Sequence, residues 1–420
     1  MRKVTRRQFG ALAASVSAAA LARPAFAQSS DGPIRIGYTL PLSGGLAGNG
    51  KPAFLAHRLW AEDLNAKSGL LGRKVELVNY DDQSNAAQVP ALYTKLLDVD
   101  KVDLVVSSYS TALIAPAMPV VMAHGVAFVS LLGSATNDAF HYDRTVNISP
   151  TGGRMEEDFA KGYFKIAMTA EPTPKTVAIA GLDSDFLQRS MRSARKQAKD
   201  LGLEIVYDKS YPPGTVDYGP IVRAIQAAKP DVVYFASYPP DSVGLLKAVT
   251  EAKLTATVLG GGMIGPQITA IKAQFGPLLN NLVCWDSYAP EPTMKFPGVD
   301  AFLERYRAVA PKEKVDPLGL YAPPLAYAQM QVLEQAVSRV GKIDHAAIGA
   351  DFHANTFSTV VGDLKFDANG EWEKERNIYV QYQGVTGNDI EQFKKAGTQV
   401  ILYPDQYKSG KLLTPFPASS

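Results

Sequence analysis

Residues 34–80 read IRIGYTLPLSGGLAGNGKPAFLAHRLWAEDLNAKSGLLGRKVELVNY, with a short apolar run at each end of a longer stretch of helical periodicity. The runs at 34–40 and 75–80 contain β-branched residues and have the length of strands. Between them, residues 54–67 repeat their apolar side chains at helical spacing. A strand, a helix and a strand in this order predict a βαβ unit, and therefore a parallel sheet.

The same alternation continues along the chain in two series that meet near Pro150. The first series adds predicted strands at 104–107 and 126–131 and helices at 89–97 and 114–124. The second series has predicted strands at 176–180, 204–211, 231–237 and 257–259, and helices at 155–167, 186–201, 218–228 and 242–252. This pattern predicts an α/β protein with two doubly wound, Rossmann-like lobes joined by a hinge.

Later segments add to both lobes. They comprise a predicted strand near 282–286, a long helix at 323–340 and β-like segments at 364–367 and 377–383. Proline and glycine cluster at 288–292 and 316–319, which is typical of turns or crossings. We predict a first lobe of residues 28–150 plus about 288–355, and a second lobe of 151–287 plus about 356–420.

The first 27 residues have the pattern of a twin-arginine export signal. Arg6 and Arg7 precede an alanine-rich apolar run, and Ala25-Phe26-Ala27 forms a small-x-small cleavage site. Removal of residues 1–27 takes away five basic residues and no acidic ones, so the formal net charge changes from +2 to −3. No basic footprint for nucleic acid remains, and no later stretch has the apolar length of a membrane span. The sequence predicts export to the periplasm.

Residue patterns for catalysis or metal binding are weak. Cys284 is the only cysteine, and the five histidines do not have metal-ligand spacing. Gly260, Gly262 and Gly265 spell the dinucleotide-binding pattern G-x-G-x-x-G, and Asp286 follows at a suitable distance. Because the match lies late in a glycine-rich stretch, we interpret it as a tight turn between strand and helix that faces a cleft. We predict no metal, no cofactor and no enzymatic activity.

Seven short motifs occur in a characteristic order. They are LPLSG at 40–44, AEDLNAKSGLLGRK at 61–74, YDDQS at 80–84, SSYST at 107–111, SATN at 134–137, DYGP at 217–220 and KPDVV at 229–233. In this order and spacing, over about residues 33–400, the chain resembles the ABC-transporter substrate-binding proteins of the leucine/isoleucine/valine-binding type. The resemblance implies a type I periplasmic-binding fold, a small-molecule ligand between the lobes and a membrane permease as partner.

Polar side chains follow two neighbouring strands of the predicted first lobe. After one strand come Ser108, Tyr109, Ser110 and Thr111, and after the next come Ser134, Ala135 and Thr136. Ligands of open α/β sheets bind at the carboxyl ends of strands, where hydroxyls and free N–H groups suit a carboxylate. Plain N-capping by Ser and Thr is the alternative. The resemblance implies that Ser108, Ala135 and Thr136 hold the α-carboxylate and α-amino group of an amino acid.

The resemblance also implies pocket residues from outside these loops. Asn49 falls where a tyrosine of the family lines the pocket, and Tyr238 resembles the aromatic residue that closes over the ligand from the second lobe. The amino-acid binders of the family place an acid after the strand near Leu259, to pair with the ligand ammonium. Residues 260–267 contain no carboxylate.

A buried ammonium without a charged partner costs several kcal/mol. The missing acid therefore favours a carboxylate ligand that lacks an amino group, with Met263 and Tyr238 as an apolar or aromatic floor. Asp183 or Asp185 stays open as a replacement partner. We predict a receptor of an ABC importer that captures an aromatic or aliphatic acid, or a branched-chain amino acid, by hinge closure. An exported cofactor-dependent enzyme and a ligand sensor for a signalling partner are the alternatives.

Overall fold

The first sheet has five parallel strands, in a computed structural model that describes residues 32–417. Across the sheet they lie in the order Val75–Asp81 (β2), Ile34–Leu40 (β1), Leu104–Tyr109 (β3), Phe128–Leu131 (β4) and Thr145–Ile148 (β5). The predicted export signal lies outside the described residues. The elements of this lobe are β1 (Ile34–Leu40), α1 (Ala47–Lys67), β2 (Val75–Asp81), α2 (Val89–Thr94), β3 (Leu104–Tyr109), α3 (Thr111–Ile114), α4 (Met118–Ala123), β4 (Phe128–Leu131) and β5 (Thr145–Ile148).

The chain then builds a second parallel series. Its elements are α5 (Met155–Asp158), α6 (Lys161–Ala167), β6 (Thr176–Leu182), α7 (Asp185–Asp200), β7 (Glu204–Tyr211), α8 (Gly219–Ala228), β8 (Val232–Ser237), α9 (Pro239–Ala252), β9 (Val258–Met263), α10 (Thr269–Phe275) and β10 (Val283–Asp286). Strands β6, β8 and β9 are buried along their length, as expected for a parallel sheet that helices cover on both faces.

Later elements complete both lobes. They are α11 (Val299–Glu313), α12 (Ala322–Val340), α13 (His345–Ala354), β11 (Phe357–Thr359), β12 (Gly362–Leu364), β13 (Ile378–Tyr382) and β14 (Gln399–Tyr403). Strands β13 and β14 join antiparallel to β10, which gives the second sheet the order β14-β13-β10-β9-β8-β6-β7. Helix α12 packs along α1, and the β11-β12 hairpin packs on α12. The chain passes between the lobes at residues 149–154, 287–298 and 365–377.

A buried polar bridge fixes α12 on the first lobe. The Nε2 atom of His57 lies 2.9 Å from Oε1 of Gln329, and the Gln329 amide donates to the carbonyl of Val129 at 2.7 Å. Burial lowers the pKa of His57 to about 4, so the ring is neutral and Nε2–H is the donor to Gln329. Because the three residues come from α1, α12 and β4, a late helix becomes part of the first core.

The two-lobed α/β architecture confirms the predicted fold class, whereas two local expectations were wrong. Helix α1 begins at Ala47 rather than at residue 54, although its first turns contain two glycines and Pro52. A Cβ atom on Gly50 would lie 2.1 Å from the carbonyl oxygen of Pro41, so close packing requires glycine there. The predicted turn at Gly260 is instead the interior of β9.

Gly260 is needed because β9 and β10 approach closely. Its φ is +144°, and a Cβ atom there would lie 1.9 Å from the carbonyl oxygen of Val283. We expect Gly260→Ala to lower the free energy of unfolding by about 2–4 kcal/mol, through backbone strain and overpacking. Urea denaturation measures this loss. Gly387→Ala is the control, since an added Cβ atom meets nothing within 4 Å there. Equal losses in both variants would contradict this explanation.

Candidate functional site

A small cavity lies between the lobes, where the carboxyl ends of β3 and β4 face those of β8 and β10. Its lining residues are Tyr109, Ser110, Leu132, Ser134, Phe186, Tyr238, Ile264, Trp285 and Tyr321. Its volume is about 10 Å³. Pockets for small molecules have about 300–1,000 Å³, so a ligand fits here only after the lobes or their side chains move apart.

The polar wall of the cavity begins at Ser110. The hydroxyls of Ser110 and Thr111 are buried and make no hydrogen bond of ordinary geometry among residues 32–417, although the Tyr238 hydroxyl lies near enough to Ser110 to interact with it. Ser110 has a φ of +78°, which is rare outside glycine and is found at sites where the surroundings impose a backbone conformation. Buried hydroxyls are normally satisfied, so the Ser110 hydroxyl in the cavity wall indicates a place for an acceptor from a ligand, with the Thr111 hydroxyl next to it in the chain.

The second polar loop is only partly open to the cavity. Ser134 lines it, but the Ser134 hydroxyl also contacts that of Ser149 at 2.9 Å. Ala135 has a left-handed backbone, and its N–H group donates to the carboxylate of Glu371 at 2.8 Å. The Thr136 hydroxyl donates to the carbonyl of Gly133 and faces a separate small space inside the first lobe. Of these three predicted residues, the structure brings Ser134 alone to the cavity.

Ser108 and Asn49 have other partners. The Ser108 hydroxyl donates to the carboxylate of Asp82 at 2.6 Å, and Ser108 is fully buried. Asn49 donates to the Tyr109 hydroxyl at 2.6 Å, and that hydroxyl lies 3.3 Å from the hydroxyl of Tyr321. Burial raises the pKa of Tyr109 to about 12, so its hydroxyl keeps its proton at neutral pH. Asn49 therefore acts on the cavity through Tyr109.

Both lobes supply an aromatic wall, with Phe186, Tyr238 and Trp285 from the second lobe and Tyr321, at the start of α12, from the first. Tyr238 stacks on Phe186 with ring centroids 6.3 Å apart. Trp285 meets Tyr321 edge to face at 6.2 Å. Of these four rings, sequence reasoning found Tyr238 and missed the rest. Trp285 could have been predicted as a site residue, because it stands at the carboxyl end of the predicted strand near 282–286. No local sequence signal marks Tyr321.

Charged groups are absent from the described side chains that line the cavity. Asp185 is exposed and pairs with Arg189 at 3.3 Å, and Met263 is fully buried within β9. Asp286, next to Trp285, is buried together with Lys272. Burial raises the pKa of Asp286 to about 6, against the attraction of the Lys272 ammonium. The buried Asp286 is thus attracted by a cation of the same core.

Residues 32–417 contain no cluster of three or more His, Cys, Asp or Glu side chains that could hold a metal ion. Over the same range, no helix combines the length and the apolar character needed to cross a bilayer.

The sequence is similar to that of known binding proteins. A family model described as periplasmic binding protein matches residues 33–383. The leucine-, isoleucine-, valine-, threonine- and alanine-binding protein of Pseudomonas aeruginosa is 24% identical over 364 residues, which cover 85% of this chain and 92% of that protein. Leu/Ile/Val-binding protein homolog 7 of Brucella abortus is 27% identical over 412 residues, which cover 93% and 96%.

Solved structures share the fold. A solute-binding protein of an ABC transporter from R. palustris, in complex with benzoate, superposes with a TM-score of 0.72 at 19% identity, covering 88% of this chain and 96% of that one. A branched-chain amino acid transporter substrate-binding protein from Streptococcus pneumoniae, in complex with isoleucine, gives 0.70 at 20% identity, covering 85% and 97%. At this identity the likeness establishes the architecture and leaves the ligand of this chain open.

Proposed function

We propose that this chain, which belongs to the periplasmic binding protein family, is the periplasmic receptor of an ABC importer for a small carboxylate without an amino group. The family consists of solute-binding proteins of the leucine/isoleucine/valine-binding type and not of enzymes. The observation that carries the proposal is the buried hydroxyl of Ser110 in the wall of the interlobe cavity, followed in the chain by the buried hydroxyl of Thr111, neither of which makes a hydrogen bond of ordinary geometry. Hydroxyl donors hold a carboxylate without a full countercharge, because hydrogen bonds to an ionised acceptor are strong.

The absence of an ammonium partner supports a carboxylate over an amino acid. Asp183 and Asp185, the two acids that could replace the one missing after β9, are both exposed and do not line the cavity, and Asp185 pairs with Arg189. The buried Asp286 is compensated by Lys272. An ammonium in this cavity would lose its hydration without gaining a free carboxylate, which costs several kcal/mol.

The aromatic wall supports a ring on the ligand. Phe186, Tyr238, Trp285 and Tyr321 surround the cavity, and planar rings pack on such surfaces by offset or edge contacts. The neutral hydroxyls of Tyr109 and Tyr321 offer a polar end opposite the aromatic floor. We therefore infer an aromatic carboxylate such as a benzoate, with the carboxylate on Ser110 and Thr111.

Hinge closure explains how so small a cavity admits a ligand. The lobes are joined by three crossings, at 149–154, 287–298 and 365–377, so they can separate without breaking either sheet. Periplasmic binding proteins as a class close around their ligands by such a hinge motion. The closed form would then dock on a membrane permease in the periplasm, after export by the twin-arginine signal predicted at residues 1–27.

A thermal-shift panel tests the ligand class. The compounds are benzoate, 4-hydroxybenzoate, leucine, isoleucine and valine, each with the mature protein. A ligand at 100 times its Kd stabilises by about 2.7 kcal/mol, which for a chain of this size raises Tm by about 3 °C. We expect this rise with an aromatic acid. A rise with the amino acids alone would show that the inference from the missing acid is wrong.

Ser110→Ala should weaken benzoate binding by about 10- to 100-fold, since a hydrogen bond to a charged group contributes about 1.5–3 kcal/mol. Isothermal titration measures the affinity, and an unchanged Tm of the free protein shows that folding is intact. The matched control is Ser210→Ala on the outer strand β7, away from the cavity lining. If both variants bind like the wild type, Ser110 does not contact the ligand.

A further inference from the structure

Glu371 is a buried acid that no motif of the sequence singles out. It lies on the crossing at 365–377 and is 1% exposed. One carboxylate oxygen accepts the Ala135 N–H group at 2.8 Å, and the other accepts the Asn147 amide at 2.9 Å. The Asn147 side-chain oxygen in turn accepts the Gly133 N–H group at 3.0 Å. A single hydrogen-bonded unit therefore holds the backbone of residues 133–135, here named the 133–135 loop.

The 133–135 loop carries a cavity residue in a backbone conformation that needs support. Ser134 lines the cavity, and Ala135 has a φ of +54°. A left-handed conformation costs a residue with a side chain about 1–2 kcal/mol, which the surroundings must offset. The hydrogen bond from the Ala135 N–H group to Glu371 provides part of this stabilisation, because the N–H group is buried and would otherwise be unpaired.

Hydrogen bonds around Glu371 also connect the 133–135 loop to the segments that join the lobes. The Asn147 N–H group donates to the carbonyl of Gly370 at 2.8 Å, and the Arg376 N–H group donates to that of Pro150 at 2.7 Å. The crossings at 149–154 and 365–377 thus lie side by side along β5. A displacement of the second crossing moves the carboxylate that holds Ala135.

We propose that Glu371 is a positioning residue that couples the hinge crossing to the ligand-contacting 133–135 loop. The proposal rests on the proposed function only in taking the cavity as the ligand site. Glu371 touches no ligand in this scheme, and it acts through the N–H group of Ala135 and, with Asn147, through that of Gly133.

The surroundings of Glu371 link this positioning to pH. The charged groups that face it are Asp138 and Asp367, with Arg189 paired to Asp138 at 3.2 Å on the far side. Among residues 32–417 no cation contacts the Glu371 carboxylate, and burial raises its pKa to about 8. The folded state therefore holds a proton that the unfolded state releases from about pH 4.5 upward. The stability from this group is present at low pH and is lost as pH rises through about 8.

Hydrogen–deuterium exchange tests the positioning role without any ligand. We compare the protection of the peptide covering 131–137 in the wild type, Glu371→Ala, Glu371→Gln and the control Glu375→Ala. Glu375 lies on the same crossing and accepts from Asn377, not from the loop. We expect Glu371→Ala to reduce protection of this peptide about tenfold, the effect of losing one buried hydrogen bond. Glu371→Gln keeps an acceptor for Ala135 and should retain most of the protection at pH 7.

The pH profile separates positioning from a merely structural role. Between pH 6 and 9 the wild type should lower its Tm, because burial disfavours the ionised form, while Glu371→Gln should change less, because it cannot ionise. Loop protection equal to that of Glu375→Ala, or the same pH profile in Glu371→Gln and wild type, would overturn the proposal. So would benzoate affinity unchanged in Glu371→Ala when the wild type binds. Failure of the wild type to bind benzoate counts against the proposed ligand, while the exchange data still decide the role of Glu371.

Discussion

A Lys272→Ala variant is expected to lose about 3–5 kcal/mol of unfolding free energy at pH 8, the largest loss of stability predicted for this chain. Lys272 is fully buried and donates to the side-chain oxygen of Gln399 at 2.9 Å. It also attracts the buried carboxylate of Asp286. Removing the ammonium leaves Asp286 as an uncompensated anion in the core of the second lobe.

The pH dependence of this loss identifies its cause. With Lys272 present, the pKa of Asp286 is already about 6. At pH 5 Asp286 is mostly neutral, so the penalty of Lys272→Ala should be smaller there than at pH 8. Urea denaturation at both pH values measures it, with the exposed Lys247→Ala on α9 as control. Adding Asp286→Asn to Lys272→Ala should recover part of the loss. An equal penalty at both pH values would mean that packing around the lysine stem, and not charge, is responsible.

Tyr238→Ala should have the largest effect on binding. Tyr238 is the predicted aromatic cover from the second lobe, and it lies in the cavity wall stacked on Phe186. Truncating a central aromatic contact costs about 2–4 kcal/mol, which corresponds to about 30- to 1,000-fold weaker binding of benzoate. Because Tyr238 is only partly buried, the variant should keep its fold.

Isothermal titration with benzoate measures this loss of affinity. Tyr207→Ala is the control, since Tyr207 is a partly buried tyrosine on the outer strand β7 of the same lobe. We expect wild-type affinity in that control. Comparable losses in the two variants would indicate a general weakening of the lobe, and wild-type affinity in Tyr238→Ala would remove Tyr238 from the ligand site.

Local sequence predicted the regular elements well where the pattern was uniform. Strands β1 and β7 have the predicted bounds, because each is a continuous strand-like run between clear breaks. The start of α1 was wrong because the glycines near Pro52 disfavour a helix locally, and packing of Gly50 against Pro41 overrides that preference. Close packing also explains β9, where Gly260 packs against Val283 of β10 and Gly261 packs against the Tyr234 ring of β8.

The structure brings to the cavity some of the predicted site residues that follow strands, and their contact with a ligand stays a prediction. Ser110, Ser134 and Tyr238 line the cavity as expected from their positions at carboxyl ends. Ser108, near the end of β3, and Thr136, after β4, have other partners, because a shift of one or two residues changes the direction of a side chain. Glu371 was missed altogether, since its partner Ala135 lies 236 positions away in the chain.

Local periodicity and short motifs were enough to predict the succession of strands and helices along the chain, the two α/β lobes and the family. The tertiary structure alone decided which side chains share the interlobe cavity, that Lys272 compensates Asp286, and that Glu371 holds the 133–135 loop. The physical reason is that a cavity wall and a buried pair form between segments distant in the chain. Their geometry depends on how whole lobes pack, which no local pattern encodes.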